Sequence, residues 1–297
     1  MAILGLGAIG GFLASIFWKQ GVLVTCIGKP EQVRVINEHG IRLESARFGE
    51  VLAYPQAVHQ LNYEPDLLFI AVKAPFLNDA LGLVSRALVS NSVVIPLLNG
   101  FEHVSAIRER VGNRVAVGMI GAIEAVKVGW NHIIHSSRHA PHIELASNHD
   151  IPKKDLCRIG EFLSRMGVET LVCNREAEVI WRKLARLNAI ASTTAASQET
   201  IGFIRQDPVW RRKLEGCVGE GVAVARKEGV KIDPEAVMHQ IDALPPTLTT
   251  SLQRDIGKRI PSEVDAIPGA ILRLAKLHHV PCPAIQEVYT MIMERIR

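Results

Sequence analysis

Six residues near the start of the chain have the types and the spacing that bind a dinucleotide. The chain passes from the apolar pair Ile3-Leu4 into a segment with glycine at its first, third and sixth positions, and then into a helical pattern. The first glycine makes the tight turn, the second lets the backbone approach a pyrophosphate, and the third lets helix and strand pack closely. The N–H groups of the helix start then face the phosphates. The predicted cofactor-binding segment is Gly5-Leu6-Gly7-Ala8-Ile9-Gly10.

The second predicted strand runs from Val22 to Ile27, and the residues after it select the nucleotide. An NAD enzyme places Asp or Glu there for the ribose hydroxyls, whereas an NADP enzyme needs a cation for the 2′-phosphate. This chain reads Ile27-Gly28-Lys29-Pro30, and its first acid is Glu31. We therefore predict NADP as the cofactor, with Lys29 as the phosphate contact. A lysine in a surface loop with no ligand is the alternative.

Five short motifs follow one another in an order that resembles the ketopantoate reductase (2-dehydropantoate 2-reductase) family, and the resemblance spans nearly the whole chain. It implies an NADP-dependent reduction of an α-keto acid, 2-dehydropantoate to pantoate in pantothenate biosynthesis, by a cytoplasmic homodimer. The motifs are the glycine segment, Val72-Lys73-Ala74, Leu98-Asn99-Gly100, Trp181-Arg182-Lys183-Leu184, and the pair Ser251-Leu252-Gln253-Arg254-Asp255 and Glu263-Val264-Asp265.

The resemblance implies roles for the residues that match these motifs. Lys183 would be the general acid, and Glu263 would orient both the substrate and the lysine, beside the cofactor. Ser251 and Asn99 would contact the substrate. Hydride transfer to a keto carbon builds negative charge on the oxygen, so an ammonium that can also give a proton suits the reaction. Without the resemblance, Lys183 would read as an exposed lysine beside an apolar helix face.

The resemblance also implies further contacts with the cofactor. Lys73 and Asn99 match residues near the cofactor and the reacting carbonyl, and both follow strands predicted to be parallel. Ligands bind open α/β sheets at the carboxyl ends of their strands. The backbone around Ile123 would touch the cofactor as well.

The chain departs from the family pattern in the predicted substrate pocket. Asparagines usually stand four and eight residues after the lysine, whereas this chain has Leu187 and Ala191 there, and Asn188 is one residue out of step. One residue on a helix is a rotation of about 100°. Pro268 replaces an asparagine and should kink or delay its helix. We predict a keto acid bulkier or more apolar than ketopantoate as the alternative substrate.

These motifs need two kinds of element to position them. Short apolar runs alternate with amphipathic helical stretches in the first half, which predicts a Rossmann-like α/β domain with a parallel sheet over 1–172. The run 66–72 is apolar almost throughout, as expected of a strand covered on both faces. Residues 173–297 show helical periodicity and predict an all-α domain that carries the substrate and catalytic residues.

Composition narrows the classes of function. The net charge of +4 comes from interleaved acids and bases, which argues against nucleic-acid binding. No apolar run reaches the ~18 residues of a membrane span, and no secretory signal is visible, so we expect a cytoplasmic protein. The five cysteines are dispersed and fit reduced thiols. We predict no metal site at His132, His135, His139 and His142, because odd spacings along a strand point to opposite faces.

Two other functions remain open at this point. The first is a dehydrogenase of similar layout, such as a β-hydroxyacid or polyol-phosphate enzyme, which would leave the Ser251 and Glu263 motifs unexplained. The second is an NADP-binding sensor without activity, in which the missing asparagines mark a degenerate site. Retention of Lys183 and Glu263 argues against the sensor, because a sensor needs neither residue.

Overall fold

The computed structural model describes residues 1–121, 123–149 and 151–296. Its strands all lie within residues 2–172. They are β1 (Ala2–Leu4), β2 (Thr25–Ile27), β3 (Ile41–Ser45), β4 (Gly49–Ala53), β5 (Gln56–Val58), β6 (Leu67–Ile70), β7 (Val93–Pro96), β8 (Val117–Gly121), β9 (Ala125–Val128), β10 (His132–His135), β11 (His142–Ala146) and β12 (Glu169–Val172).

Helices alternate with these strands and then continue alone to the end of the described chain. Two short turns of other types accompany them, a 3-10 turn over Ala74–Phe76 and a π-helical turn over Asp265–Gly269. The α-helices are α1 (Ala8–Lys19), α2 (Pro30–His39), α3 (Leu77–Leu81), α4 (Arg86–Val89), α5 (Glu102–Val111), α6 (Lys153–Arg165), α7 (Glu176–Ser197), α8 (Ile201–Gln206), α9 (Pro208–Lys227), α10 (Pro234–Asp242), α11 (Ser251–Gly257), α12 (Ala270–Leu277) and α13 (Pro283–Ile296).

The chain forms two compact units. The first, which we call the Rossmann-like unit, comprises Met1–Leu98 and His103–Val179. The second, which we call the helical unit, comprises Asn99–Glu102 and the chain from Ile180 onward. The predicted limits of the two domains at residues 172 and 173 stay a prediction. None of the described helices is long and apolar enough to cross a membrane.

A parallel sheet in the order β5-β2-β1-β6-β7 forms the centre of the Rossmann-like unit. Every residue of β1, β2, β6 and β7 is buried, as expected of parallel strands covered on both faces. The glycine segment follows β1. Lys73 comes after β6, which pairs with β1 in parallel fashion. The predicted α/β domain with a parallel sheet and the all-α second domain are confirmed.

Two further sheets, in the orders β4-β3-β10-β9 and β12-β11-β8, complete the Rossmann-like unit. The residues from Arg114 to Gly118, which the sequence also predicts as a strand of the alternating series, differ in part in the structure. Val115 forms only a bridge to Val94, and the strand itself is β8, which pairs with β11 in antiparallel fashion. The β3–β4 pair was not predicted from the sequence. Its mixture of polar and apolar residues is as typical of loops and helix ends as it is of a hairpin.

The helical unit begins its helices with clear capping signals. Asp207 accepts hydrogen bonds from the backbone of Val209 and Trp210 at the start of α9, and Thr250 forms a capping box with Gln253 at the start of α11. The irregularity predicted at Pro268 is confirmed. Proline has no N–H to donate, and the next amide, that of Gly269, reaches back five residues to the Val264 carbonyl at 3.1 Å.

Candidate active site

Three residues from distant parts of the chain form a hydrogen-bonded series within the helical unit. Lys183, on α7, donates from Nζ to Asn99 Oδ1 at 3.0 Å. Asn99 donates in turn from Nδ2 to Glu263 Oε2 at 2.8 Å. An amide can accept from an ammonium and donate to a carboxylate at once, so both ends of Asn99 are matched to their partners. The structure thus brings together the three residues predicted to work on the keto group.

The backbone near Asn99 depends on a glycine. Gly100 has φ +85°, and a Cβ added to it would lie 2.2 Å from the carbonyl oxygen of Ala266 in the π-helical turn. No residue with a side chain fits at that distance in that conformation. Gly100 therefore lets the Asn99 segment lie directly against the turn that follows Glu263.

Arg273 holds the Asn99 segment and the turn after Glu263 together from the surface. Its guanidinium donates to Glu102 Oε2 at 2.6 Å and to Asp265 Oδ1 at 2.7 Å. Glu102 belongs to the Asn99 segment, and Asp265 is the second acid of the Glu263 motif. The two carboxylates hold the pKa of Arg273 above its usual value. Arg273 was not predicted from the sequence, where its only signal is an arginine two helical turns after Asp265.

The environment of Lys183 favours the loss of its proton. Burial lowers the pKa of its ammonium to about 8, with the nearby charge of Glu263 opposing the shift and that of Arg186 adding to it. Glu263 is itself only 6% exposed. A lysine that titrates near neutrality can give up a proton and recover it from water, which an ordinary surface lysine does poorly.

Ser251 and the pocket positions lie on or beside α7. Ser251 is the exposed first residue of α11. Thr250, just before it, forms a hydrogen bond of 3.0 Å with Thr194 of α7, which holds the start of α11 against that helix. Leu187 and Ala191 share the helix face of Lys183, one and two turns further on. Leu187 is partly exposed, whereas Ala191 is buried.

Asn188 lies on a different part of α7 from Lys183. It is fully buried, and its Oδ1 accepts a hydrogen bond of 3.2 Å from Ser192. Its Nδ2 has no hydrogen-bond partner among the described residues. The prediction that Asn188 does not replace a pocket asparagine stays a prediction.

The glycine segment of the Rossmann-like unit has the shape that a dinucleotide needs. A Cβ on Gly5 would lie 2.4 Å from Val72 Cγ1, and a Cβ on Gly10 would lie 1.9 Å from the Gly5 carbonyl oxygen. A Cβ on Gly7 would meet only the Ala71 carbonyl oxygen, at 3.8 Å, so the open side of the turn is at Gly7. Gly7 is the N-cap of α1 and offers no side chain, so the first N–H groups of the helix are left for a ligand.

The remaining predicted cofactor residues lie around the same unit. Lys29 is the exposed N-cap residue of α2, and its Nζ lies 5.7 Å from the ring centre of Phe76. Lys73 is partly buried and precedes the 3-10 turn after β6. Ile123 follows β8 and packs against the core of this unit. Their roles stay predictions.

The histidines and cysteines occupy separate environments. His132 and His135 lie on β10, where His132 contacts Glu44 at 3.0 Å and His135 is buried against Phe12, whereas His142 begins β11 in another sheet. No group of three metal-binding side chains occurs among the described residues. The five cysteines are free thiols, and burial raises the pKa of Cys26 to about 12.

Sequence comparisons match both halves of the chain to one family. The family model for ketopantoate reductase PanE/ApbA matches residues 1–148, and the model for the C-terminal part of the same family matches residues 177–295. The uncharacterized oxidoreductase YkpB of Bacillus subtilis is 24% identical, over 97% of this chain and 95% of its own. The 2-dehydropantoate 2-reductase of Pyrococcus horikoshii is 26% identical, over 95% and 92%.

Solved structures share the fold. The structure of D-mandelate dehydrogenase with NADH and anilino(oxo)acetate matches with a TM-score of 0.90 at 22% identity, covering 99% of this chain and 97% of that one. A PanE/ApbA family ketopantoate reductase from Ralstonia eutropha matches with a TM-score of 0.88 at 23% identity, covering 99% and 97%. At this identity the likeness establishes the arrangement of elements and leaves the substrate open.

Proposed function

Because the chain belongs to the ketopantoate reductase PanE/ApbA family of oxidoreductases, we propose that it reduces a 2-keto acid to the 2-hydroxy acid with NADPH. The observation that carries the proposal is the series Lys183–Asn99–Glu263, in which a lysine with a pKa of about 8 is held by an amide against a buried carboxylate. NADPH, when bound, supplies the hydride for the keto carbon.

The residues of the helical unit supply the rest of the chemistry. Lys183 stabilises the negative charge that develops on the keto oxygen and then donates its proton there, which leaves a neutral amine and a hydroxy acid. Glu263 keeps Lys183 protonated before the reaction, because its charge opposes the effect of burial. Asn99 fixes the direction of the ammonium, and we assign to it and Ser251 the carboxylate end of the substrate. Lys183 recovers its proton from water.

We assign the pyrophosphate of the cofactor to the glycine segment and the start of α1. Gly7 leaves room for the ligand, and the free N–H groups of the helix start suit an anion. Lys73 and the backbone at Ile123 are the further contacts that we propose. Lys29 follows β2, where the adenosine ribose lies in Rossmann-like folds, and supports NADP over NAD.

The side chain of the substrate is the second question. Ketopantoate is the first substrate to test, since relatives such as the Pyrococcus horikoshii protein are 2-dehydropantoate 2-reductases. However, the face of α7 that carries Lys183 continues with apolar Leu187 and Ala191. This favours a keto acid with an apolar side chain, because a substrate hydroxyl at that place would lose its hydrogen bonds to water and gain none from the protein.

A substrate panel tests the proposal. NADPH oxidation should be measured with ketopantoate, with branched aliphatic keto acids and with an aromatic keto acid, and the series should be repeated with NADH. Turnover of any of these with NADPH supports the reductase. Tight NADPH binding without turnover of any keto acid would support the sensor instead. NADPH oxidation with 3-oxo acids only, when these are added to the panel, would support the β-hydroxyacid enzyme.

Leu187→Asn should shift the substrate preference by about tenfold toward ketopantoate and away from the aliphatic keto acids. The asparagine supplies a hydrogen-bonding group one turn from Lys183, where wild type offers only methyl groups. The measurement is the ratio of kcat/KM for the two substrates. Leu277→Asn, at a position 72% exposed in the same unit, is the matched control and should leave the ratio unchanged. An unchanged ratio in Leu187→Asn would remove Leu187 from the substrate site.

The rate of keto-acid reduction should fall as the pH rises through about 8, because the general acid must be protonated and burial lowers the pKa of Lys183 to that value. The two neighbouring charges give opposite tests. Glu263 raises this pKa and Arg186 lowers it, so Glu263→Gln should move the fall to lower pH and Arg186→Gln should move it to higher pH. A pH profile of kcat/KM at saturating NADPH checks this, and a shift of both variants in one direction would contradict it.

A further inference from the structure

Two lysines of the Rossmann-like unit lie on exposed aromatic rings. Lys29 Nζ is 5.7 Å from the ring centre of Phe76, and Lys127 Nζ is 5.5 Å from that of Trp130. The two aromatic residues are 40% and 48% exposed, respectively. In each pair the aromatic ring attracts the lysine charge through a cation–π interaction and holds it at the surface.

Lys127 is partly buried although it lies on the edge strand β9. Exposure alternates along this strand, with Ala125 and Lys127 partly buried and Val126 and Val128 exposed. Burial lowers the pKa of Lys127, and the positive charge of Lys29 lowers it further. In the described part of the chain, no carboxylate forms an ion pair with either lysine. Two like charges that influence each other without a counter-ion favour an anionic ligand.

Gln32 connects the turn that carries Trp130 to the glycine segment. Its Nε2 donates to the Leu6 carbonyl at 2.7 Å and to the Trp130 carbonyl at 2.8 Å. The side chain is only 6% exposed; its hydrogen bond to Leu6 is buried and its hydrogen bond to Trp130 is partly buried. Gln32 also lies on α2, whose N-cap residue is Lys29. One buried amide therefore holds the glycine segment, the start of α2 and the β9–β10 turn together.

We propose that Lys127 and Lys29 together bind the 2′-phosphate of NADPH, with the β9–β10 turn placing Trp130 beside the adenosine. This inference rests on the proposed function, because it assumes that NADPH is the cofactor. We assign the pyrophosphate of NADPH to the start of α1. The 2′-phosphate, which is the remaining phosphate of the cofactor, is therefore left for the two lysines. From the sequence only Lys29 is predicted to contact this phosphate, since Lys127 is about 100 residues away in the chain.

The test compares two cofactors that differ only in the 2′-phosphate. Dissociation constants for NADPH and NADH should be measured by titration calorimetry for wild type, Lys127→Ala, Lys29→Ala and Lys127→Arg. Lys154→Ala, an exposed lysine of α6 in the same unit, is the matched control. We expect each alanine variant to weaken NADPH binding by about tenfold and to leave NADH binding unchanged, since each removes one charged hydrogen bond to the phosphate. Lys127→Arg should retain the preference for NADPH.

The fluorescence of Trp130 gives a second measurement. Because Lys127 lies on its ring, binding of 2′-AMP should change the emission of wild type, and Trp130→Phe should lose that change. The outcomes separate the two proposals. If wild type prefers NADPH and Lys127→Ala keeps that preference, the role of Lys127 is wrong and the proposed function stands. If wild type binds NADH equally well, the choice of NADP and this inference both fail. Equal weakening of both cofactors in Lys127→Ala would also overturn the inference.

Discussion

Replacing Lys183 by alanine should lower kcat for keto-acid reduction by about 10²- to 10⁴-fold, the usual contribution of a positioned general acid. The loss has two sources. The variant has no group to protonate the keto oxygen, and it has no cation beside the charge that develops there. We expect NADPH to bind as it does to wild type, because the proposed cofactor contacts belong to other residues. Steady-state kinetics and an NADPH titration on the same preparation measure both quantities.

Two controls separate chemistry from folding in this experiment. Lys231→Ala removes an exposed lysine of the helical unit and should keep full activity. Lys183→Arg keeps the charge but has a pKa too high for ready proton transfer, so it should recover only a small part of the rate. If Lys183→Ala retained more than about a tenth of the wild-type kcat, Lys183 would not be the general acid.

We expect the second large effect, a loss of stability, when Gly10 is replaced by alanine. A Cβ on this residue would lie 1.9 Å from the carbonyl oxygen of Gly5, and both atoms belong to the backbone turn that joins β1 to α1. Neither can move without displacing the strand or the helix, so we expect Gly10→Ala to destabilise the protein by roughly 3 kcal/mol or more. Urea denaturation monitored by fluorescence measures the free energy of unfolding. NADPH affinity should fall with it.

Two other glycines give matched controls for this substitution. A Cβ on Gly219, in the middle of α9, meets no atom within 4 Å, so Gly219→Ala should stabilise the protein by up to about 1 kcal/mol. Gly7→Ala adds a methyl group within the glycine segment where only the Ala71 carbonyl oxygen is near, at 3.8 Å. It should leave the stability unchanged and weaken NADPH binding. Equal stability of Gly10→Ala and wild type would contradict the clash.

The fold could be predicted from the sequence where a single physical cause dominates. The glycine segment and the apolar strands of the parallel sheet follow from close backbone approach and from burial on both faces. Both causes leave a local pattern. The β3–β4 pair and the division of the strands among three sheets have no such pattern, because strand pairing depends on which distant segments meet.

The candidate site shows the same limit. Lys183 has no local feature that separates it from an exposed helix lysine, and only the resemblance of several motifs in order singled it out. Its hydrogen bond to Asn99 and the effect of Glu263 on its pKa arise from segments far apart in the chain. Gln32, Lys127 and Arg273 were missed for this reason. Each acts through partners that are distant in sequence and close in space.

Because of the π-helical turn after Glu263, the direction of α12 depends more on the number of residues in this turn than on their types. A π-helical turn holds one residue more than an α-helical turn, and Gly269 accommodates it with an N–H that reaches back five residues. Deleting one residue between Val264 and Gly269 would restore a regular helix and rotate α12 by about 100° relative to Glu263. Arg273 would then face away from Glu102 and Asp265. During divergence, substitutions in this turn are therefore easier to accept than single-residue insertions or deletions.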